Sequence, residues 1–552
     1  DPSTRYAASE RNRLAASTGW REGYDGNSHP FGLIYFEPGF QELYRSWLEA
    51  LVTRPGPDGR TLASEPAVLG LELVNEDSLF FWTFDEKNVP AAQFDKIEKQ
   101  FAVWAAKKYG SLDKALAVWK FGHADDAADR LGLRPLYQMF TERSERDQDT
   151  AAFLMETQRG FYDRTIAWLR GKGFKGLITA SNWTTANNDI FGPLEKYSYT
   201  PGDFIDRHGY FGCDHGGDNA SWSIREGHTY RDRSALRLEA EEAGKPLDFS
   251  HPAVDPTFNG KPSMISETTW NRPNRYRSES PLFYAAYGAL QGTDAVVHFA
   301  LDSKDWSVKP GFFMQPWTLM SPSQVGQFPA AAAIFRLGLV REGDVMADVS
   351  LPLDDAVGLK GSPLAPPANL DQLRKADVGP GAPASAGAID PLIYYTGRTS
   401  VQIGGDARPA KLADLSRLID RDGKRVSASN GDVVLDYGKG LLTLNAPAAQ
   451  GAVGNLKSGG KLSLPDMVIE SPMEVAAVVG VALDGKAPAK SGKILLQVMS
   501  EEKATGFATK LAPKGHLEIT DIGRDPWLVR SYEGSVTFKR GDASSLEVQP
   551  LD

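Results

Sequence analysis

Two apolar runs in this chain end in glutamate. Leu71-Glu72-Leu73-Val74-Asn75-Glu76 closes on Asn-Glu and Met264-Ile265-Ser266-Glu267 on a second glutamate, and each leads into loop aromatics, Phe80-Phe81-Trp82 and Trp270. A carboxylate at the carboxyl end of a barrel strand stands where catalysis is expected. Two of them facing one cleft can divide the work of breaking a glycosidic bond: a carboxylic acid protonates the leaving oxygen while a carboxylate attacks or activates water. Either glutamate alone reads as a solvated strand-end residue. Together, with only strand and helix units between them, they point to that chemistry.

The elements that must position them follow a simple alternation. Strand-like runs at Val68 to Val74, Gly176 to Ala180, Asp203 to Asp206, Ser263 to Ser266 and Ala295 to Ala300 are separated by amphipathic stretches at Ala91 to Tyr109, Ser111 to Lys120, Thr150 to Lys172 and Ser280 to Gln291, with Ala330 to Leu337 after the last. This pattern predicts a parallel sheet covered by helices over residues 1–344. Residues 345–394 read as a connecting segment that includes the Pro, Ala and Gly-rich loop Gly361 to Gly387. From 395 to 552, short alternating runs between turn pairs such as Asn430-Gly431 and Asp484-Gly485 predict an antiparallel β-sandwich.

Composition narrows the partners. The 552 residues carry a net charge of −10, which argues against nucleic acid as a ligand, and no apolar stretch approaches the ~18 residues of a membrane span. Cys213 is the single cysteine, so no internal disulfide and no Cys-based zinc site is expected. The 12 Trp, 18 Tyr and 26 Phe cluster beside polar residues in the first 320 positions, as in sugar binders, although large proteins also use aromatics for core area.

At these residues the sequence resembles the clan A glycoside hydrolases, family-5-like (β/α)8 TIM barrels with Asn-Glu on strand 4 and a nucleophilic Glu on strand 7. The resemblance covers roughly residues 30 to 340 and counts the strands ending at Glu76, Ala180, Asp206, Glu267 and Ala300 as strands 4 to 8. It implies a retaining β-glycoside hydrolase acting on a plant, algal or microbial oligo- or polysaccharide, with Glu76 as acid/base and Glu267 as nucleophile. The alternatives are a non-catalytic carbohydrate-binding barrel and a transglycosylase of the same clan. It further implies that Asn75 bonds a sugar 2-hydroxyl, that His208 and Tyr210 line the floor beside the nucleophile, and that Trp306 is the strand 8 aromatic. No cofactor and no metal are expected, and the chain is expected to be secreted or periplasmic. The departure is at the start: only 67 residues precede Val68, and Phe40 to Leu51 among them reads as a helix. Strands 1 to 3 are therefore expected to be missing, completed by a separate N-terminal segment or replaced by unusual elements in residues 1 to 40.

Asn182, Trp183 and Trp270 are candidate sugar contacts, the indoles as stacking platforms. The run Asn271 to Tyr276 and Arg277 brings Arg272, Arg275 and Arg277 close behind Glu267; it reads as a loop paired with nearby acids or as a contact to an acidic sugar. His208, Asp214, His215 and Asp218 match no zinc or calcium spacing.

Overall fold

The computed structural model describes residues 31–238, 253, 255–301, 315–362, 364 and 389–551. The strand-like runs between 70 and 299 lie side by side, parallel and in chain order. Gly70–Glu72 pairs with Leu177–Thr179, and the ladder continues through Leu73 N–H to Thr179 O and Val74 N–H to Ala180 O. Asp203 N–H donates to Ile178 O, Ile205 bridges Ser263, and His208–Phe211, Met264–Trp270 and Ala295–His298 complete the row.

Parallel neighbours need long crossovers, and helices supply them. Ala91–Tyr109 and Glu145–Gly171 lie between the first and second strands, Gly192–Ser198 between the second and third, and Ser280–Gln291 between the fourth and fifth. Glu145–Gly171 starts ahead of the expected Thr150 because Ser144 and Asp147 cap each other. Asp147 N–H reaches Ser144 Oγ at 3.3 Å and Ser144 N–H reaches Asp147 Oδ2 at 2.8 Å.

Residues 31–69 form two helices, Leu33–Phe36 and Pro38–Thr53, a 3-10 turn at Leu62–Ser64, and no strand. Tyr44, on the second helix, donates its hydroxyl to Leu73 O, so this helix packs beside the first parallel strand. Among the described residues the parallel layer has five members and does not close into an eight-stranded barrel. The fold is mixed α/β with several antiparallel sheets. Residues 1–30, where further strands were an alternative, lie outside the described residues.

The connecting segment expected from residue 345 begins instead as a strand. Val345–Leu351 runs parallel to Arg398–Ile403, which also pairs with Thr257–Phe258. Alternate side chains of that stretch, among them Ala347, Val349 and Leu351, are apolar and buried, and a strand forms once 398–403 supplies its partner. Of the loop Gly361 to Gly387, only residues 361, 362 and 364 are described.

Further along, seven antiparallel strands from Ile419–Asp420 to Ile494–Ser500 make one sheet, and Lys461–Ser463, Met467–Glu470 and Ser535–Phe538 make a second. Ala449–Gly454 and Ala476–Ala482 are buried along their whole length. One face, with Val453, Ala477 and Val479, joins the core shared with the parallel layer; the other, with Ala452 and Val478, packs on Met467 and Ile469 of the second sheet. A sheet covered on both faces needs small residues: a Cβ on Gly480 would lie 2.8 Å from Met467 Sδ of the second sheet. Among the described residues after 395, the one α-helix is Leu456–Gly459.

Candidate active site

Because the five strands are parallel, their carboxyl ends share one edge, where ligands of such sheets collect. Glu76 and Asn182 follow their strands toward that edge, while His208, Tyr210 and Glu267 stand within strands that run on to Phe211 and Trp270, so the strand expected to end at Glu267 extends three residues further. Glu76 leaves its strand with φ of 50°, a conformation costly for any residue but glycine. Its N–H is held by Asn182 Oδ1 at 3.1 Å, which fixes this exit.

One carboxylate oxygen of Glu76, one of Glu267 and a ring nitrogen of His208 lie within 4.8 Å of one another. His208 Nδ1 is 2.8 Å from Glu76 Oε1 and 3.5 Å from Glu267 Oε2, and Nε2 meets Ser266 Oγ at 2.9 Å. Tyr210 donates its hydroxyl to Glu267 Oε2 at 2.7 Å. Burial pushes the His208 pKa down, opposed by the charges of Glu267 and Asp206, so the ring is favoured as neutral imidazole.

A second row of carboxyls lies beneath, which the sequence reading did not single out. Glu72 accepts from Asn182 Nδ2, and Asp206 Oδ1 accepts from Arg207 N–H at 2.7 Å and Ser266 N–H at 3.0 Å. Burial holds Glu72 well above the usual carboxylate range, and the charges of Asp206, Glu267 and Glu76 push the same way. Burial raises Asp206 too. The signal for both was the period of two: Glu72 shares a strand face with Glu76, and Asp206 with His208 and Tyr210.

Three expected sugar contacts are corrected. Asn182 spends both its amide and its oxygen inside the protein, on Glu72, Asn75 and Glu76 N–H, and acts as a clamp. Trp183 is 3% exposed and packs edge-on against Phe81 at 5.0 Å. Trp270 is 0% exposed and sits between Phe211 and Phe283. Both indoles were drawn inward because apolar rings lie behind these strand ends. Asn75 stays exposed at the rim. Trp306 lies outside the described residues; Phe299, directly after the fifth strand, is the aromatic that faces Tyr210, at 6.2 Å.

The arginine run faces inward, away from any acidic-sugar role. Arg275 pairs with Glu501, Arg277 with Glu502, and Arg272 stacks over Trp527 at 4.0 Å, so all three bind the tail to the parallel layer. Asp214 pairs with Arg231, and His215 Nε2 meets His228 Nδ1 at 2.9 Å. Among the described residues, the clusters with donor types and spacing for a cation are Glu76-His208-Glu267 and Glu72-Asp206-His208. Both nitrogens of His208 are already engaged, so a cation would have to displace Glu76 or Ser266 from the ring.

No family model matches the sequence, and no curated protein matches it. Among solved structures, a β-galactosidase from Bacillus circulans sp. alkalophilus superposes with a TM-score of 0.41 at 13% identity, over 71% of this chain and 53% of that one. The chain thus spans about half the length of that structure.

Proposed function

We propose that this chain hydrolyses β-linked glycosides of plant, algal or microbial origin by double displacement, with retention at the anomeric carbon. The observation that carries the reading is the approach of Glu76 and Glu267 oxygens to within 4.8 Å. Retaining enzymes place their carboxyls about 5–5.5 Å apart, whereas inverting ones need about 6.5–9.5 Å to admit a water.

Glu267 is the nucleophile, because the Tyr210 hydroxyl donated to it favours the anion. It attacks the anomeric carbon and forms a glycosyl ester as the bond to the leaving oxygen breaks and Glu76 gives that oxygen its proton. Glu76, now a carboxylate, takes a proton from water; the water oxygen bonds to the same carbon and Glu267 departs as carboxylate.

His208 suits Glu76 in both states. In both, Nδ1–H donates to Glu76 Oε1 and the Ser266 hydroxyl donates to Nε2, so one tautomer serves throughout, and the proton that Glu76 gives to the leaving oxygen is carried on Oε2. Burial and the neighbouring carboxylates push Glu72 toward its protonated form, which favours keeping the negative charge on the reacting pair. Asn75, exposed beside Glu76, is the residue that would meet the 2-hydroxyl in this reading.

The test is a panel of aryl β-glycosides and polysaccharides, with the first-formed product followed by NMR. Retention yields the β-anomer first; an α-anomer first, or no turnover of any β-glycoside, rules the reading out.

A further inference from the structure

Aromatic rings run outward from the nucleophile without a gap. Tyr210, whose hydroxyl holds Glu267, meets Phe299 edge-on at 6.2 Å. Phe299 meets Trp317 at 5.9 Å, and Trp317 meets Trp222 at 5.3 Å with the two indole planes at 89°. These rings come from separate places in the chain, the third and fifth parallel strands and two loops, and they become continuous only in the folded protein.

Exposure rises along the series. Tyr210 is buried, Phe299 and Trp317 are half-buried, and Trp222 is 53% exposed. An indole left this open keeps a large apolar surface in water. The turn that presents it is not slack. Trp222 N–H and Ser223 N–H both donate to Asn219 O at 3.1 Å, and the next residues, Ser223 and Ile224, are buried. The base of the excursion is closed by the Gly216–Thr229 bridge and the His215–His228 hydrogen bond. The indole is therefore held out by ordered backbone, which is what a ligand contact with little ordering cost requires.

Resting on the glycosidase reading, we propose that Trp222 and Trp317 form an outer subsite for a further pyranose ring of the substrate, which makes the substrate a β-linked oligo- or polysaccharide chain. Two indoles at right angles make a corner: the C–H face of a pyranose packs on one plane while the edge of the other closes its side. Within four residues of Trp222 in sequence stand Asp218, Arg225 and Glu226, a mixture of signs that suits a neutral sugar.

The experiment is calorimetric titration of the Glu267→Gln protein with β-1,3- and β-1,4-linked gluco- and galacto-oligosaccharides of increasing length. It is repeated with Trp222→Ala and with Trp222→Phe in the same background. Affinity should rise with length for at least one series. Trp222→Ala should remove that rise, weakening the longest ligand by roughly tenfold, the worth of about one aromatic contact, and Trp222→Phe should restore part of it. A rise with length that survives Trp222→Ala, or no rise in any series, overturns the subsite. Hydrolysis of the same oligosaccharides by the unaltered protein is scored separately. Length-dependent binding without hydrolysis sinks the catalytic reading and leaves the subsite standing; hydrolysis with length-independent binding does the reverse.

Discussion

Two pairs of glutamates meet the same protein in opposite ways. Glu76 and Glu267, at the edge of the parallel layer, are met by an imidazole and a phenol. Glu501 and Glu502, at the start of a tail strand, are met by guanidinium groups: Arg275 and Arg530 on the first, Arg277 on the second. Arg277 is buried and also donates to Trp270 O at 2.7 Å and Thr318 O at 2.6 Å, while Glu502 Oε2 takes Ser323 N–H at 2.7 Å. A carboxylate paired with arginine in a dry junction is a structural fastener, because arginine cannot give up its proton and leaving either partner alone there is costly. A carboxylate beside a neutral imidazole and a phenol can exchange protons with its surroundings. The residue type is the same; the counter-group decides whether it is a fastener or a reagent. One strand joins the two, since Met264–Trp270 carries Glu267 at one position and offers Trp270 O to Arg277 at another.

The largest effects should come from removing the reagents. Glu267→Gly should abolish measurable turnover of every glycoside, with azide or formate restoring some activity and giving an inverted product. Glu76→Ala should lose about 10²–10⁴-fold on unactivated glycosides and far less on dinitrophenyl glycosides, whose leaving group needs no proton. Equal losses on both substrate classes, with no rescue by azide, would refute the division of roles. Removing a fastener should instead cost stability. Arg277→Met strands Glu502 in the junction and should destabilise by about 3–5 kcal/mol, read from denaturant unfolding, whereas Arg277→Met with Glu502→Leu should recover most of it.

Smaller effects test how the counter-groups act. Tyr210→Phe withdraws one hydrogen bond from Glu267 and should cost about tenfold in kcat/KM. Losing a donor destabilises the anion, so the pKa of Glu267 rises and the acid limb of the pH–rate profile moves to higher pH; an unmoved limb would remove Tyr210 from that role. The smallest loss is expected for Arg275→Ala, at about 0–1 kcal/mol, because the pair is partly solvated and Arg530 still holds Glu501. A cost as large as that of Arg277→Met would erase the distinction between buried and rim pairs.

Much of the parallel layer was legible because strand and helix declare themselves through neighbours a few residues apart. The strand runs leading to Glu76 and Glu267 and the crossover helix Ser280–Gln291 fall close to where the pattern places them, although the second run does not stop at Glu267 but continues as a strand to Trp270. What escaped was whatever depends on a partner far away in the chain. Val345–Leu351 is a strand because 398–403 lies beside it. Trp270 carries the same local signature as a surface platform, yet it is buried because Phe211 and Phe283 close over it. The arginines after Glu267 read equally as a sugar contact until Glu501, Glu502 and Trp527 arrive from the tail.

By itself, then, the sequence determined the local terms: which stretches extend, which coil, and that two extended runs lead into glutamates, with an asparagine beside one. These follow from alternation and helical period, which act over one or two turns of chain and need no knowledge of the rest. Only the tertiary structure decided that Glu76 and Glu267 approach within 4.8 Å, that Asn182 clamps Glu72, Asn75 and Glu76, and that Trp222 is left in water beside Trp317. Those outcomes rest on which distant surfaces bury each other, and burial is a property of the whole packed chain.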